Sequence, residues 1–185
     1  MPAPRGCRDG SRALSDDSGS ICIGCGLCCD GTLHGKTTVK PGDEPAVIAC
    51  GLEIGGEGQR RFFTQPCPRF SCGKCSVYPD RPEVCRTYRC ALLKDLEAGT
   101  IGETDARETI AVAKSLIAAV RLVDPHAVTP SQRSALAERL REELTARVGS
   151  EREAIAKALL ATAALEHFLD RRFLKSSEKK EAQEA

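Results

Sequence analysis

The chain changes pattern near Cys90. From Ala91 onward apolar residues recur every three or four positions, the period that places them on one face of an α-helix. Residues 91–98 predict a short helix that Gly99 can end in the left-handed conformation. Asp105 and Glu108 have capping-box spacing and open a longer helix. Ile110, Ala113, Leu116, Ile117, Val120 and Val123 form its apolar face, and Asp124-Pro125 stops it. Thr129-Pro130-Ser131-Gln132 supplies a cap, a first-turn proline and a glutamine at the third position. Leu136, Leu140, Leu144 and Val148 follow at a spacing of four, with Gly149 as the expected stop. Ser150 and Glu153 predict another capping box, for a last helix that buries Ile155, Leu159, Ala163, Phe168 and Leu169.

Residues 21–90 carry no such period. They are rich in Gly, Pro and Cys, which favours turns and short elements. Short strands are expected at 37–40 and 46–52, a turn at Gly55-Gly56-Glu57-Gly58, and a strand at 61–64. Pro66, Pro68, Pro79 and Pro82 stiffen the later part, where residues 78–82 read as a loop leading into a short helix that carries Cys85. The expected fold class is therefore small α+β: an irregular Cys-rich metal-binding module with short strands, followed by a helical part of about three helices. Residues 1–20 read as a disordered polar leader, 21–92 as the cysteine module, 93–174 as the helical region and 175–185 as a charged tail. The helices contain no cysteine, so their expected role is packing, on the module or on a protein partner.

Composition explains what could hold the first half together. Of 185 residues 41% are hydrophobic but only 4% are aromatic, and there is no Trp. A core short of large rings buries less area per residue, so a second source of cohesion is expected. The 11 cysteines are the candidates; all but Cys7 lie between Cys22 and Cys90. Their number is odd and residues 1–20 contain no apolar signal core, so a cytoplasmic setting and thiolate ligation are expected, rather than a disulfide framework. A formal net charge of +1 provides no field for nucleic acid or an anionic membrane. No run approaches the roughly 18 apolar residues of a membrane span. The expected partner is a metal ion or cluster.

The first cysteine group is Cys22-Ile-Gly-Cys25-Gly-Leu-Cys28-Cys29. Two-residue spacers allow a tight turn to bring successive thiolates to one centre, and Gly24 and Gly26 lower the steric cost of that turn. Side chains of adjacent residues diverge, by about 100° in a helical turn. Cys28 and Cys29 are therefore expected to do different jobs, one of them serving a second centre or staying a thiol. The trio Cys22, Cys25 and Cys28 resembles half of a bacterial ferredoxin site, in which a remote Cys-Pro completes the set, and Cys67-Pro68 is available. That reading implies an iron–sulfur cluster of the 4Fe-4S kind. Cys72-Gly-Lys-Cys75 offers a zinc knuckle instead, so Zn2+ stays open beside it.

The second group spans Cys67 to Cys90, with Cys72, Cys75 and Cys85 between. Arg69, Arg81, Arg86 and Arg89 lie among these thiols, and are expected chiefly as solvated or carboxylate-paired groups. Tyr78 and Tyr88 read as packing residues, and His34 as a surface or satisfied histidine. No phosphate-binding loop and no dinucleotide fingerprint is present.

Together the two blocks resemble the YkgJ-like cysteine-cluster family, described as zinc- or iron-chelating, over about residues 20–92. The resemblance rests on Cys22–Cys29, then Cys67-Pro68, Gly73-Lys-Cys75-Ser-Val-Tyr78, Arg81-Pro82 and Cys85-Arg86. It implies Cys22, Cys25, Cys28, Cys29, Cys67, Cys75 and Cys85 as ligands. Cys7, Cys50, Cys72 and Cys90 fall outside that pattern, with Cys90 retained as a further metal candidate. Some larger relatives are similar to flagellin lysine N-methylases and are associated with an iron–sulfur cluster. The function expected is metal or cluster binding in redox or metal handling. The alternatives are a cluster-dependent protein-modifying enzyme and a zinc-stabilised interaction module; whether the chain catalyses anything is left open.

Overall fold

Two long helices pack on a third to make the larger of two apolar cores. The computed structural model describes residues 21–58 and 60–174. The expected leader, the charged tail and Cys7 lie outside the described residues. The helical part comprises α4 (Ala91–Glu97), α5 (Glu103–Val123), α6 (Pro130–Ala146) and α7 (Gly149–Arg172), with α5 and α6 both against α7. Before it come α1 (Cys22–Cys25), α2 (Glu44–Ala49) and α3 (Glu83–Thr87). Between these lie two small antiparallel sheets, β1 (Lys36–Thr38) with β2 (Phe62–Thr64) and β3 (Phe70–Ser71) with β4 (Lys74–Cys75). The protein is thus a small α+β fold, Cys-rich first and helical after.

The apolar faces read from the sequence are largely the buried ones. Ile110, Ala113, Ile117 and Val120 of α5, Leu136 and Leu140 of α6, and Leu169 of α7 all lie in the larger core. Thr129 caps α6 as expected: its hydroxyl accepts from the Gln132 N–H at 3.4 Å, while Gln132 Oε1 accepts from the Thr129 N–H at 2.9 Å. The same core takes in Ile21, Leu27 and Leu33 from the cysteine half. The helices therefore pack on the module itself.

Several expectations are corrected. Residues 46–52 form no strand: 44–49 are the helix α2, with Pro45 in its first turn and Val47 fully buried. A proline there leaves a helix's first turn intact because the missing N–H has no intrahelical partner. α5 starts at Glu103, not after Asp105; Asp105 is its third residue, and its carboxylate accepts from the Gly102 N–H at 3.3 Å. Gly149 begins α7 rather than ending α6, because Arg147 and Val148 are extended and break the chain two residues earlier. Val148 caps α7 without a side-chain bond, so the expected Ser150–Glu153 box does not form. Val148 and Ala163 are exposed, and Thr162 and Leu165 take the buried face of α7.

One buried cation ties the parts together. Arg133 on α6 is 2% exposed. Its guanidinium bonds the Glu166 carboxylate on α7, the Val128 carbonyl, and the Thr32 carbonyl at 2.9 Å, just beyond the cysteine run. A planar fork with five donors suits three acceptors arriving from different elements.

The smaller core is built by Val39, Val47, Cys50, Leu52 and Phe63. The β1–β2 ribbon pairs Thr37 with Phe63.

Candidate metal centre

The cysteine run folds as a series of tight turns. α1 is distorted: Ile23 and Gly24 leave the helical region, and Gly24 (φ +91) and Gly26 (φ +75) are both left-handed. That conformation costs an L-side chain about 1–2 kcal/mol, which is why glycine alternates with cysteine here. The Phe70 ring lies against the face of Gly26. Lys114 on α5 donates to the Gly24 carbonyl, and Arg121 on α5 approaches the Asp30 carboxylate at 3.6 Å. α5 therefore holds the turn from one side.

The second block is brought to the first by backbone bonds. The Cys67 N–H donates to the Cys29 carbonyl at 2.8 Å. Phe70 on β3 pairs with Cys75 on β4, and α1 packs on β4. Cys85 rides on α3, whose N-terminal N–H groups of Glu83 and Val84 each donate to the Asp43 carboxylate at 2.9 Å. Asp43 precedes α2 but makes no side-chain bond to it; it caps α3 from across the fold. Cys90 precedes α4, where the Ala91 N–H donates to the Phe173 carbonyl at 2.9 Å.

These placements put Cys22, Cys25, Cys28, Cys29, Cys67, Cys75, Cys85 and Cys90 on the wall of one cavity of about 870 Å³. All eight keep their thiols. Cys50 also reaches this wall, from the smaller core. Cys72 does not: it lies exposed in the β3–β4 turn at φ +49 and is disulfide-bonded, which corrects the expectation of a knuckle thiolate and leaves Cys75 without that partner on the wall. The rest of the lining draws on both cores, with Leu33, Leu92 and Phe173 from the larger and Leu52, Phe63 and Val84 from the smaller.

Burial dominates the thiol chemistry. It pushes Cys25 up to about 11, helped by the neighbouring Cys90 and Cys22 and opposed by the Leu27 N–H and by Lys114. Burial also raises Cys29 and Cys85 to about 12 and Cys28 well above the ordinary thiol value. Beyond burial, the charges that act on each thiol differ. Cys28 feels Cys90 and then Cys25, whereas Cys29 feels Cys67, Cys85 and Cys75. Without a cation these groups stay neutral thiols; four thiolates in such a place need a metal to balance them.

Among the described residues, no three His, Cys, Asp or Glu side chains already converge in a form that could hold a metal ion. The thiols share a cavity and one another's fields without meeting at a point. Each cysteine has a single side-chain torsion with three staggered wells, so its sulfur swings within the cavity while the backbone stays in place. The sulfur-rich donor chemistry fits a soft or borderline metal.

The other sequence candidates are accounted for. His34 Nε2 and the Tyr88 hydroxyl are hydrogen-bonded at 2.8 Å with their rings edge-on. The Arg69 Nε donates to the Cys50 carbonyl at 2.6 Å, Arg81 stacks 3.8 Å over the Tyr78 ring, and Arg89 pairs with Glu97 at 3.0 Å. Arg89 is thus carboxylate-paired as expected, whereas Arg69 bonds a backbone carbonyl and Arg81 stacks on a ring. Sequence reasoning missed Asp43, Lys114 and Arg133; Asp43 before a Pro-containing turn was the only local signal, and it pointed to α2 rather than α3.

No helix among the described residues is long and apolar enough to cross a membrane. A protein-family model described as "CxxCxxCC: Putative zinc- or iron-chelating domain" matches residues 21–111. No curated protein and no solved structure matches the chain.

Proposed function

Since the chain belongs, through residues 21–111, to the CxxCxxCC family of zinc- or iron-chelating domains, we propose that it holds iron–sulfur chemistry on Cys22, Cys25, Cys28, Cys29, Cys67, Cys75, Cys85 and Cys90. The observation that carries this reading is the cavity of about 870 Å³ whose wall bears all eight thiols. Four thiolates close the tetrahedral site of one zinc ion, so eight thiols on one wall exceed what a single zinc ion takes. A cluster of iron and sulfide is bulkier and needs an enclosed space lined by cysteine, with a surrounding shell that excludes water. Leu33, Leu92 and Phe63 supply that shell.

Such a group would supply one-electron chemistry, or a store of iron, inside a folded protein. The residues do the rest. The glycine turns present the first thiols, Asp43 fixes the helix that carries Cys85, and α5 braces the run through Lys114. Loading must displace the protons that burial keeps on Cys25, Cys28, Cys29 and Cys85, so metal affinity rises with pH.

The test is anaerobic purification with absorbance, iron, sulfide and zinc analysis. A brown protein with iron and acid-labile sulfide is expected. A colourless protein with stoichiometric zinc would sink the iron–sulfur reading and leave metal chelation in place.

A further inference from the structure

The two apolar cores divide the thiols between them. Cys25, Cys28 and Cys90 pack against the larger, helical core. Cys67 and Cys85 pack against the smaller one. The divide falls within the vicinal pair: Cys28 belongs to the helical side, while the Cys29 backbone is tied to Cys67 by a 2.8 Å hydrogen bond. Cys22 belongs with Cys25 and Cys28 through the α1 turn. Cys75 sits in β4 opposite Phe70, whose own N–H reaches back to the Cys67 carbonyl at 3.0 Å. Phe70, lying on Gly26 and paired with Cys75, stands where the two sides meet.

We propose that the chain holds two separate metal centres, one on Cys22, Cys25, Cys28 and Cys90 against the helical core and one on Cys29, Cys67, Cys75 and Cys85 against the smaller core. This rests on the thiolate–metal reading above and adds a count and a membership to it. The electrostatics run the same way. After burial, which acts most, the thiols that raise Cys28 are led by Cys90 and Cys25, and those that raise Cys25 are Cys90 and Cys22. Cys29 is acted on by Cys67, Cys85 and Cys75, and Cys85 by Cys67, Cys75 and, behind these and Asp43, the core thiol Cys50. Cys28 is also acted on by its neighbour Cys29, behind Cys90 and Cys25 and ahead of Cys22. Adjacent side chains diverge in a turn, so one tetrahedral centre cannot readily take both members of the pair.

Two consequences follow. Cys90, which lies outside the cysteine pattern of the first block and its partner motif, becomes a full ligand. It reaches the centre because the N-terminus of α4 is pinned to Phe173 at the end of α7. Each centre also has four thiolates, which complete a tetrahedral zinc site or a cubane cluster and leave no open position for a substrate. The centres are therefore suited to electron transfer or to holding the fold, not to Lewis-acid catalysis.

Anaerobic cobalt(II) titration of the metal-free full chain tests the count. Thiolate-to-cobalt absorbance is expected to rise linearly and break at two equivalents. Cys90→Ser and Cys75→Ser are each expected to halve the saturating absorbance, with a far-UV circular dichroism spectrum like that of the parent, and the double variant to abolish it. Cys50→Ala is expected to keep the full signal. A break at one equivalent in the parent chain overturns the two-centre proposal while metal binding itself stands. A full signal in Cys90→Ser overturns the membership, as does loss of the whole signal in either single variant that remains folded. A parent chain that takes up no cobalt, zinc or iron overturns the underlying reading as well. The parent titration decides the count even if a serine variant fails to fold.

Discussion

Gly26 lets two physical costs be separated in one experiment. It lies at φ +75, where an L-residue pays about 1–2 kcal/mol in backbone strain. A Cβ at this position would also sit 2.1 Å from Phe70 Cζ and 2.7 Å from Cε2, far inside contact distance. Phe70 is half-buried and held in β3, so its ring escapes only by leaving the face of the cysteine turn. Overpacking of this kind typically costs about 1–3 kcal/mol. Gly26→Ala should then destabilise the metal-free chain by about 2–5 kcal/mol, the sum of the two effects. Gly24 provides the control: it is also left-handed, at φ +91, but nothing lies within 4 Å of its would-be Cβ. Gly24→Ala should cost the backbone strain alone, about 1–2 kcal/mol. Urea unfolding followed by circular dichroism measures both, provided the transitions are two-state with equal slopes. In a Phe70→Ala background the cost of Gly26→Ala should fall to that of Gly24→Ala, because the clash has gone. Equal costs for the two glycine variants, or a Gly26→Ala cost unaffected by removing Phe70, would refute the packing argument.

Three further outcomes are expected. Arg133→Ala should strand the Thr32 and Val128 carbonyls, at about 1–3 kcal/mol for each group that water cannot reach, seen as a lowered urea midpoint; a midpoint unchanged from the parent would mean that Arg133 ties nothing together. Asp43→Ala should remove the cap of α3 and cost about 1–2 kcal/mol, and should speed alkylation of Cys85 by iodoacetamide relative to Cys25; equal rates before and after would count against a cross-fold cap. In the metal-free chain, burial and then neighbouring thiolates hold Cys29 and Cys85 at about 12, above the ordinary 9.0. A folded-state value above the unfolded one stabilises the fold fully below pH 9 and loses that contribution as pH rises from 9 toward 12. The urea midpoint of the metal-free protein should therefore drop between pH 9 and pH 11, and a flat profile there would contradict the burial of these thiols.

Much of the helical half was legible because periodicity is a local property of the chain. Thr129 and Gln132 are neighbours in sequence, so their cap could be read directly, as could the faces built on Ile117 and Leu140. Boundaries were less legible where cap and neighbour compete. Gly149 was equally suited to stop one helix or start another, and the extended Arg147 and Val148 decided for the second. Residues 46–52 misled because Val47, Ile48 and Leu52 suit a buried strand as well as a short helix; only Pro45 in the first turn favoured the helix. Asp43 could not be assigned from sequence at all, since its partners are about forty residues away.

The candidate donor chemistry was legible in the sequence alone. Thiols at two-residue spacing, glycines between them and a second Cys-Pro block define a soft, sulfur-based donor set whatever the fold does around it. The divergence of Cys28 and Cys29 was equally local, because adjacent side chains cannot point the same way in a turn. Grouping was a different matter. That Cys90 stands with Cys25 and Cys28, and Cys67 with Cys29, depends on a helix terminus pinned to Phe173 and on one backbone hydrogen bond from Cys67 to Cys29. Contacts between residues tens of positions apart are made by packing and pairing, which no local spacing encodes.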